Sequence, residues 1–156
     1  MTGITYAYNR FSTERFPLPS EAQLAELEQR IRVTFPEDYR RFLLEFNGGY
    51  FSEPEITPVS EGCPVDGLTY LSGIGASHPY AELGRPSLLA LFDGNDPPLI
   101  VPIGYTGMGG LIILTTDEEG PGEIWYKQAF GGFFYLAEGI EGLFGLLRDP
   151  PADVTT

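Results

Sequence analysis

Apolar residues recur at helical spacing in two neighbouring segments near the start of the chain. Ser20 is a candidate N-cap for the first segment, and Gln23 lies three residues later, which is the spacing of a capping box. We therefore predict a helix over 20–32. Its apolar stripe at i, i+3 and i+7 consists of Leu24, Leu27 and Ile31.

The second segment, FPEDYRRFLLEFNGG, has the clearest pattern in the chain. Pro36 suits the first helical position, because the amide there has no acceptor within the helix and its missing proton costs no hydrogen bond. Asn47-Gly48-Gly49 is a stop signal in which Gly48 or Gly49 can take the left-handed conformation. We predict a helix over 36–46 that forms a helical hairpin with the first. Its apolar positions at i, i+3, i+4 and i+7 are Tyr39, Phe42, Leu43 and Phe46.

After residue 49 the helical period gives way to short apolar runs between turns rich in Gly, Pro and acidic residues. The glycines of GYTGMGG, residues 104–110, break two of the runs apart, and 117–122 forms another turn. One helical turn is expected at 88–92 and a turn at 93–98. Successive strands joined by short turns predict an antiparallel meander. The predicted strands cover 67–74, 99–103, 111–116 and 123–127.

The two ends of the chain give opposite signals. Near the C-terminus a helical stripe returns, weakened by three glycines and ended by Pro150-Pro151. Residues 1–17 carry aromatic side chains without a clear period, so we expect loose packing or an edge strand. The order predicts an α+β fold: an N-terminal helical hairpin, a mostly antiparallel sheet and a C-terminal helix packed on it. One domain is expected over 1–156, with its core at about 18–149. The C-terminal stripe consists of Ile140, Leu143, Phe144 and Leu147.

The charge of the chain is acidic and uneven. Of the formal net charge of −13, residues 1–50 contribute −1 and residues 51–156 contribute −12. An acidic surface repels nucleic acid and anionic membranes and attracts a basic partner, although it also serves solubility alone. No signal peptide or membrane-spanning stretch is visible, which predicts a soluble cytoplasmic protein.

Residues suited to catalysis are scarce. A dyad of the single Cys63 and the single His78 is disfavoured, because the acids around Cys63 would raise its thiol pKa. The glycines of 104–110 fail the dinucleotide fingerprint, and Asp93–Pro98 fails the calcium-loop pattern. We expect no metal and no cofactor. A carboxylate pair for glycoside hydrolysis stays open, since any of 22 acids can meet in space.

Trp125 is the only tryptophan and has two possible roles. In EIWYK, Ile124 and Tyr126 share one face of the strand, and Trp125 lies on the other. An exposed Trp125 would be an anchor for a partner, whereas a buried one would be part of the core. We favour the core, because aromatic residues usually belong to the packing.

The segment LPSEAQLAELEQRIRVTFPEDYRRFLLEFNGG resembles the signature of the SMI1/KNR4, or SUKH, superfamily. Phe35 departs from the Leu that usually precedes the proline. The likeness continues in order through PLIVPIGYTGMGGLIILTT, GPGEIWYK and FYLAEGIEGLFGLL, where Gly139 replaces a common Ser, and it covers about 20–147. The signature positions are Phe35, Pro36, Asp38, Tyr39, Phe42, Leu43, Asn47, Gly48 and Gly49.

The resemblance implies an α+β fold without a catalytic constellation. Bacterial members are commonly immunity proteins that bind and neutralise a cognate polymorphic toxin, often a nuclease or a deaminase. Fungal members resemble regulators of cell-wall synthesis and signalling scaffolds. The shortness of this chain favours the bacterial type.

We therefore expect a non-enzymatic immunity protein that binds a basic toxin domain through its acidic surface, without direct contact to nucleic acid or membrane. The alternatives are a general interaction or regulatory module without a toxin, and a small hydrolase that uses two carboxylates. The sequence leaves the oligomeric state open. The candidate partner-binding residues are Tyr50, Glu53, Glu55, Asp66, Tyr70, Asp93, Asp96, Asp117, Glu118, Glu119 and Trp125.

Overall fold

The computed structural model describes residues 2–76, 78–85, 100–117 and 121–150. The expected helical turn at 88–92 and the turn at 93–98 lie outside these residues. The helices are α1 (Thr2–Phe11), α2 (Glu21–Ile31), α3 (Glu37–Glu45) and α4 (Ile140–Gly145), with a 3-10 turn at Pro79–Ala81. The strands are β1 (Ser12–Glu14), β2 (Gly49–Phe51), β3 (Glu55–Ile56), β4 (Leu68–Leu71), β5 (Ile100–Thr106), β6 (Leu111–Thr115), β7 (Ile124–Lys127), β8 (Phe133–Ala137) and β9 (Leu147–Arg148).

Seven of these strands form one antiparallel sheet in the order β1-β2-β4-β5-β6-β7-β8. The remaining two, β3 and β9, pair antiparallel as a separate small sheet. The predicted α+β class with a C-terminal helix on the sheet is confirmed. No helix in the described part of the chain combines the length and apolar character needed to cross a bilayer.

The helices bury their apolar stripes against one face of the large sheet. The predicted stripe of α2 is fully in the core, and so are Tyr39, Phe42 and Leu43 of α3. Phe46 is partly buried and packs its ring 4.6 Å from that of Tyr8 in α1. The sheet contributes Leu71, Ile112 and Tyr126 to the same core, among others.

Residues 1–17 contain a helix that the expectation of loose packing or an edge strand missed. Ile4, Tyr8 and Phe11 lie at i, i+4 and i+7 and are all buried, so α1 is a core helix. The expected edge strand is present only as the three residues of β1. The aromatic and β-branched composition of α1 has a low intrinsic helix propensity, so tertiary packing decides its conformation.

The ends of α2 and α3 follow their capping residues, with two corrections. Ser20 and Gln23 form the predicted capping box of α2. Pro36 is the N-cap of α3 and not its first helical residue. At the other end Asn47, with φ of 58°, is the first residue in the left-handed region, and Gly48 and Gly49 follow it.

Two boundaries differ in the second half of the chain. β5 continues through Gly104, Tyr105 and Thr106, so the predicted break at 104–110 is confined to Gly107–Gly110. The last helix ends at Gly145 and not at the prolines, because Leu147 pairs with Ile56 in the small sheet.

Asn47 joins three chain segments in the buried centre of the fold. Its carboxamide nitrogen donates to the carbonyl oxygens of Pro17 and Ile74, each at 2.7 Å. Its carboxamide oxygen accepts from the Ile74 amide at 2.8 Å. The side chain is fully buried, and these bonds replace the water that it loses.

Gly48 passes so close to β4 that a side chain has no room there. A methyl group on Gly48 would lie 2.5 Å from the Ser72 carbonyl oxygen and would meet the Leu71 carbonyl as well, at a φ of 76°. Gly62 has nearly the same φ, 75°, but open space around it.

We predict that Gly48→Ala lowers the free energy of unfolding by about 3 kcal/mol, and Gly62→Ala by about 1 kcal/mol. Urea unfolding of both variants measures the difference. The shared φ makes Gly62→Ala a control for backbone strain. Equal losses would show that the close approach to β4 carries no cost.

Two buried tyrosine hydroxyls differ in their partners. Tyr39 Oη is buried and has no hydrogen-bond partner among the described residues. Tyr8 Oη donates to the Gly48 carbonyl. An unpaired buried hydroxyl opposes folding, whereas a paired one supports it.

We predict that Tyr39→Phe leaves the free energy of unfolding unchanged or raises it by up to about 1 kcal/mol, because it removes an unpaired polar atom. Tyr8→Phe should lower it by about 1–2 kcal/mol, because it leaves a buried carbonyl with one donor fewer. Chemical unfolding of the two variants tests this contrast. A loss of more than 1 kcal/mol in Tyr39→Phe would contradict it.

Candidate protein-binding face of the sheet

The face of the large sheet opposite the helices carries one aligned row of mainly aromatic side chains. Strand pairing places Tyr50 of β2 beside Tyr70 of β4, and Tyr70 beside Tyr105 of β5. The row continues through Leu111 of β6, Lys127 of β7 and Phe133 of β8. Alternation along each strand puts these residues on the side away from the core, which we call the open face.

Four tyrosines on this face line a groove of about 530 Å³, which we call the tyrosine groove. The rings of Tyr70 and Tyr105 stack 5.5 Å apart at 12°, and the Tyr50 ring lies 5.6 Å from that of Tyr70. Tyr80 closes one side, with its ring 6.1 Å from Tyr70 and its side chain about half exposed. The size is that of a pocket for a small ligand or a few side chains. Thr69, Arg85, Gly109 and Leu111 complete its lining.

His78 supports the groove and does not meet Cys63. Its ring contacts the edge of Tyr50 at 5.0 Å and stacks on Tyr80 at 5.7 Å, while Nε2 lies 3.2 Å from a Glu14 carboxylate oxygen. Cys63 is partly buried and packs against the main hydrophobic core. Burial raises the pKa of the Cys63 thiol, so the predicted direction holds, although the cause is burial rather than neighbouring acids.

Trp125 lies on the open face, so the preference for a core position was wrong. Ile124 and Tyr126 on either side of it are almost completely buried, and alternation therefore turns Trp125 outward. Its ring meets Tyr135 edge to face at 5.6 Å. It lines a smaller apolar pocket of about 230 Å³ with Ile100, Ile113, Thr115 and Phe133.

Exposed apolar side chains lie at the hairpin turns beside the groove. Met108, in the turn between β5 and β6, is 78% exposed, and Phe130, in the turn between β7 and β8, is fully exposed. Phe133 at the start of β8 is about half exposed. These two turns lie at the same end of the sheet, because both follow strands that run in the same direction. Exposed aromatic and Met side chains in one region are typical of a binding surface.

Glu53 and Asp66 are brought together at this end of the sheet, next to Gly107. A methyl group built on Gly107 would lie 2.9 Å from a Glu53 carboxylate oxygen and 3.2 Å from one of Asp66. Glu53 also accepts a hydrogen bond from Thr69 at 3.3 Å. The other Asp66 oxygen is buried without a hydrogen-bond partner among the described residues. Neither carboxylate pairs with a cation in the described part of the chain.

The remaining candidate acids do not join this group. Glu55 is partly buried in β3 and pairs with Arg148 at 2.9 Å. Asp117 follows β6, at the end of that strand away from Gly107. Four further candidates lie outside the described residues: Asp93, Asp96, Glu118 and Glu119.

Two cations belong to the open face, and both donate to main-chain carbonyls. Arg85 donates to the Tyr80 carbonyl at 3.1 Å. Lys127 donates to the carbonyls of Gln128 and Gly131 at 2.7 and 2.6 Å. Among the described residues, no group of three or more His, Cys, Asp or Glu side chains is placed to hold a metal ion.

Burial raises the pKa of two of the groove tyrosines, Tyr50 and Tyr70, and keeps them neutral. It is the main cause that raises the pKa of Tyr50, to which the nearby Tyr80 hydroxyl and the charge of Glu14 add. Burial also raises the pKa of Tyr70, against a smaller lowering by Arg85. The charge of the face at neutral pH therefore comes from its carboxylates and its two cations.

Comparison with known proteins identifies the family. A model of the SMI1 / KNR4 family (SUKH-1) matches residues 18–144, most of the chain. This chain belongs to the SMI1/KNR4 family. A search of curated proteins gave no significant match. SMI1/KNR4 (SUKH) proteins are in general non-catalytic immunity proteins that act through contacts with another protein.

The SMI1/KNR4 signature does not include the residues that complete the open face. Tyr80, Arg85, Tyr105, Phe130 and Phe133 were absent from the expected contacts. The sequence predicts a break at Tyr105 and no helix or strand at the other four residues. No local signal places Tyr105 on this face. Strict alternation along β5 would put it in the core with Val101 and Ile103, and the irregularity between Pro102 and Gly104 turns it to the open face.

We predict that the free energy of unfolding falls above pH 10, and that Tyr50→Phe/Tyr70→Phe reduces this fall. A tyrosine whose pKa is raised by folding stays protonated while the unfolded chain ionises. Each such group therefore lowers stability by about 1.4 kcal/mol per pH unit above the unfolded pKa of about 10. Urea unfolding at pH 9 and pH 11 measures the effect.

Tyr6→Phe is the matched control, since the Tyr6 side chain is 69% exposed on α1. The double variant should lose less stability between the two pH values than either the wild type or this control. Identical losses in all three proteins would contradict the assignment of Tyr50 and Tyr70 as buried neutral groups.

Proposed function

We propose that this chain is an immunity protein that binds a cognate polymorphic bacterial toxin domain and blocks it by docking on the open face of the sheet. The proposal places the protein in the cytoplasm of a bacterium, with the toxin rather than nucleic acid or membrane as its partner. In this proposal the chain acts by binding alone and catalyses no reaction.

The observation that carries the proposal is the tyrosine groove together with the exposed apolar side chains beside it. Tyr and Trp supply large contact areas at a small loss of side-chain entropy, and they dominate the energy of many interfaces. Tyr80, Phe133 and Phe130 are about half to fully exposed in the free chain. A partner that covers them removes apolar area from water, which favours association by about 25 cal/mol per Å² before the costs of ordering.

The charge distribution supports a basic partner. On the helical side, Arg40 pairs with Glu28 and Glu21, and Arg41 lies 4.0 Å from Glu37. Glu53 and Asp66 at the open face have no such cation in the described residues. Unpaired carboxylates beside an apolar surface attract a basic protein and raise the rate of association.

We predict that the chain protects cells from the toxin domain encoded by a neighbouring gene and binds it in a pull-down. Tyr80→Ala should weaken binding at least tenfold, because Tyr80 is an exposed aromatic wall of the groove. Tyr6→Ala, an exposed tyrosine on α1, is the matched control and should leave the affinity unchanged. Isothermal titration calorimetry with the purified toxin domain measures both.

Lack of protection and of binding for every neighbouring toxin domain would overturn the proposal. The alternative of a regulatory or interaction module without a toxin would then be favoured. Equal weakening by Tyr80→Ala and Tyr6→Ala would leave toxin binding in place but remove the open face as its location.

A further inference from the structure

We propose that the tyrosine groove receives an extended segment of a partner protein with a basic side chain at Glu53 and Asp66 and an acidic side chain at Arg85. This deepens the function proposed above and rests on it only for the identity of the partner. Three observations carry the inference: the aromatic floor of the groove, Arg85 in its lining, and the carboxylates of Glu53 and Asp66. The two carboxylates lie outside the lining, and Glu53 is joined to it by the hydrogen bond from Thr69.

The negative end of the groove is held in place by the backbone around Gly107. Glu53 has a φ of 58°, a left-handed conformation that is unfavourable for a non-glycine residue. The Gly107 amide donates to the Gly67 carbonyl at 3.1 Å, and a side chain on Gly67 would contact Glu53. The strained residue and the close packing fix the backbone of Glu53, and its carboxylate lies beside that of Asp66. Strain of this kind is typical of functional positions.

Asp66 adds a group that needs a partner. One of its oxygens is buried and receives no hydrogen bond among the described residues, while the other faces the space beside Gly107. A buried carboxylate oxygen without a donor opposes folding unless a ligand supplies one. A guanidinium or ammonium group placed between Glu53 and Asp66 supplies both donors and charge.

The positive end lies with the segment that follows β4. The amide of Gly73, beyond the end of β4, donates to the Ala81 carbonyl at 3.1 Å, and the amide of Leu83 donates to Gly73 at 2.9 Å. This ladder holds Tyr80 and Arg85 beside the groove. Glu53 and Asp66 instead flank the start of β4, where the Leu68 amide donates to the Pro54 carbonyl at 3.0 Å.

Arg85 is available for an anion. One Nη donates to the Tyr80 carbonyl, and no acidic side chain of the described residues pairs with it. A guanidinium has five N–H donors, so the carbonyl leaves most of them to a ligand. Since the two charged ends are separated along β4 by the tyrosines, a segment that spans the groove meets both.

The aromatic floor between the ends suits an extended peptide rather than a helix. The rings of Tyr50, Tyr70 and Tyr105 follow one another at 5.6 and 5.5 Å across three strands. A groove of about 530 Å³ holds a few side chains of an extended segment, whereas a helix is about 10 Å wide.

The probes for the test are four capped peptides without any toxin: acetyl-Arg-Gly-Tyr-Gly-Glu-amide and its versions with Gln in place of Arg, of Glu, or of both. Binding is measured by NMR titration of the wild type, of Glu53→Gln/Asp66→Asn and of Arg85→Gln. Glu53 is exposed, whereas Asp66 and Arg85 are partly buried. An unchanged spectrum outside the groove therefore serves to confirm that the variants fold.

In the wild type, each Gln replacement should weaken binding about two- to fivefold, as expected of exposed ion pairs. For the Glu53→Gln/Asp66→Asn variant, only the replacement of the peptide Glu by Gln should still weaken binding. For the Arg85→Gln variant, only the replacement of the peptide Arg by Gln should still weaken binding. This crossed pattern identifies which end of the groove binds which charge.

Equal binding of the uncharged and charged peptides would overturn the proposal, and so would an equal response of both protein variants to both replacements. The absence of any shift at the groove with millimolar peptide would also overturn it. Failure to bind a toxin, together with the crossed pattern for the peptides, would instead contradict the function proposed above and leave the groove assignment standing.

Discussion

The position of the open face depends on the buried carboxamide of Asn47. It bonds to the main chain of residues 17 and 74, which fixes the end of α3 against two loops that are 57 residues apart in the sequence. Gly48 then passes against the carbonyls of β4, and Gly49 pairs with Leu71. That register puts Tyr50 directly beside Tyr70 and begins the tyrosine groove. A shift of one residue would turn Tyr50 into the core, because side chains alternate between the faces of a strand.

The two faces of the sheet differ in how their charged side chains are paired. Six of the nine cations of the chain lie in residues 1–50, where they roughly balance the acids. On the helical side, Arg40 pairs with Glu28 and Glu21, and Arg10 pairs with Asp149. The open face has fewer cations, and Arg85 and Lys127 donate to carbonyl oxygens there. Glu53 and Asp66, which have no cation partner among the described residues, lie at the end of the sheet where Met108 and Phe130 are exposed. In the proposed function, a basic partner would gain both contact area and attraction there.

The sequence predicts the parts of the fold that local rules decide. The capping box at Ser20 and the stripe of Tyr39, Phe42 and Leu43 place α2 and α3 within a residue or two. The helix α1 is different, because its stripe of Ile4, Tyr8 and Phe11 competes with a composition that favours strands, and only contact with the core decides between them. The sequence does not predict the groove, for a related reason. The expected contacts include Tyr50 and Tyr70. Tyr80 and Tyr105 join them in one groove because of the strand register and the main-chain hydrogen bonds at Gly73, which connect residues distant in the sequence.

A surface built in this way can change its partner without changing its fold. The side chains of Tyr50, Tyr105 and Trp125 point away from the core, so their replacement removes little of the packing that holds the helices to the sheet. Asn47 and Gly48 have no such freedom, since their contacts are with buried main-chain atoms. Glu53 lies between these cases: its strained backbone is fixed by Gly67, while its carboxylate faces solvent. In the proposed binding mode, the carboxylate of Glu53 on its fixed backbone would keep the preference for a cation, while the aromatic contacts would select which basic segment fits.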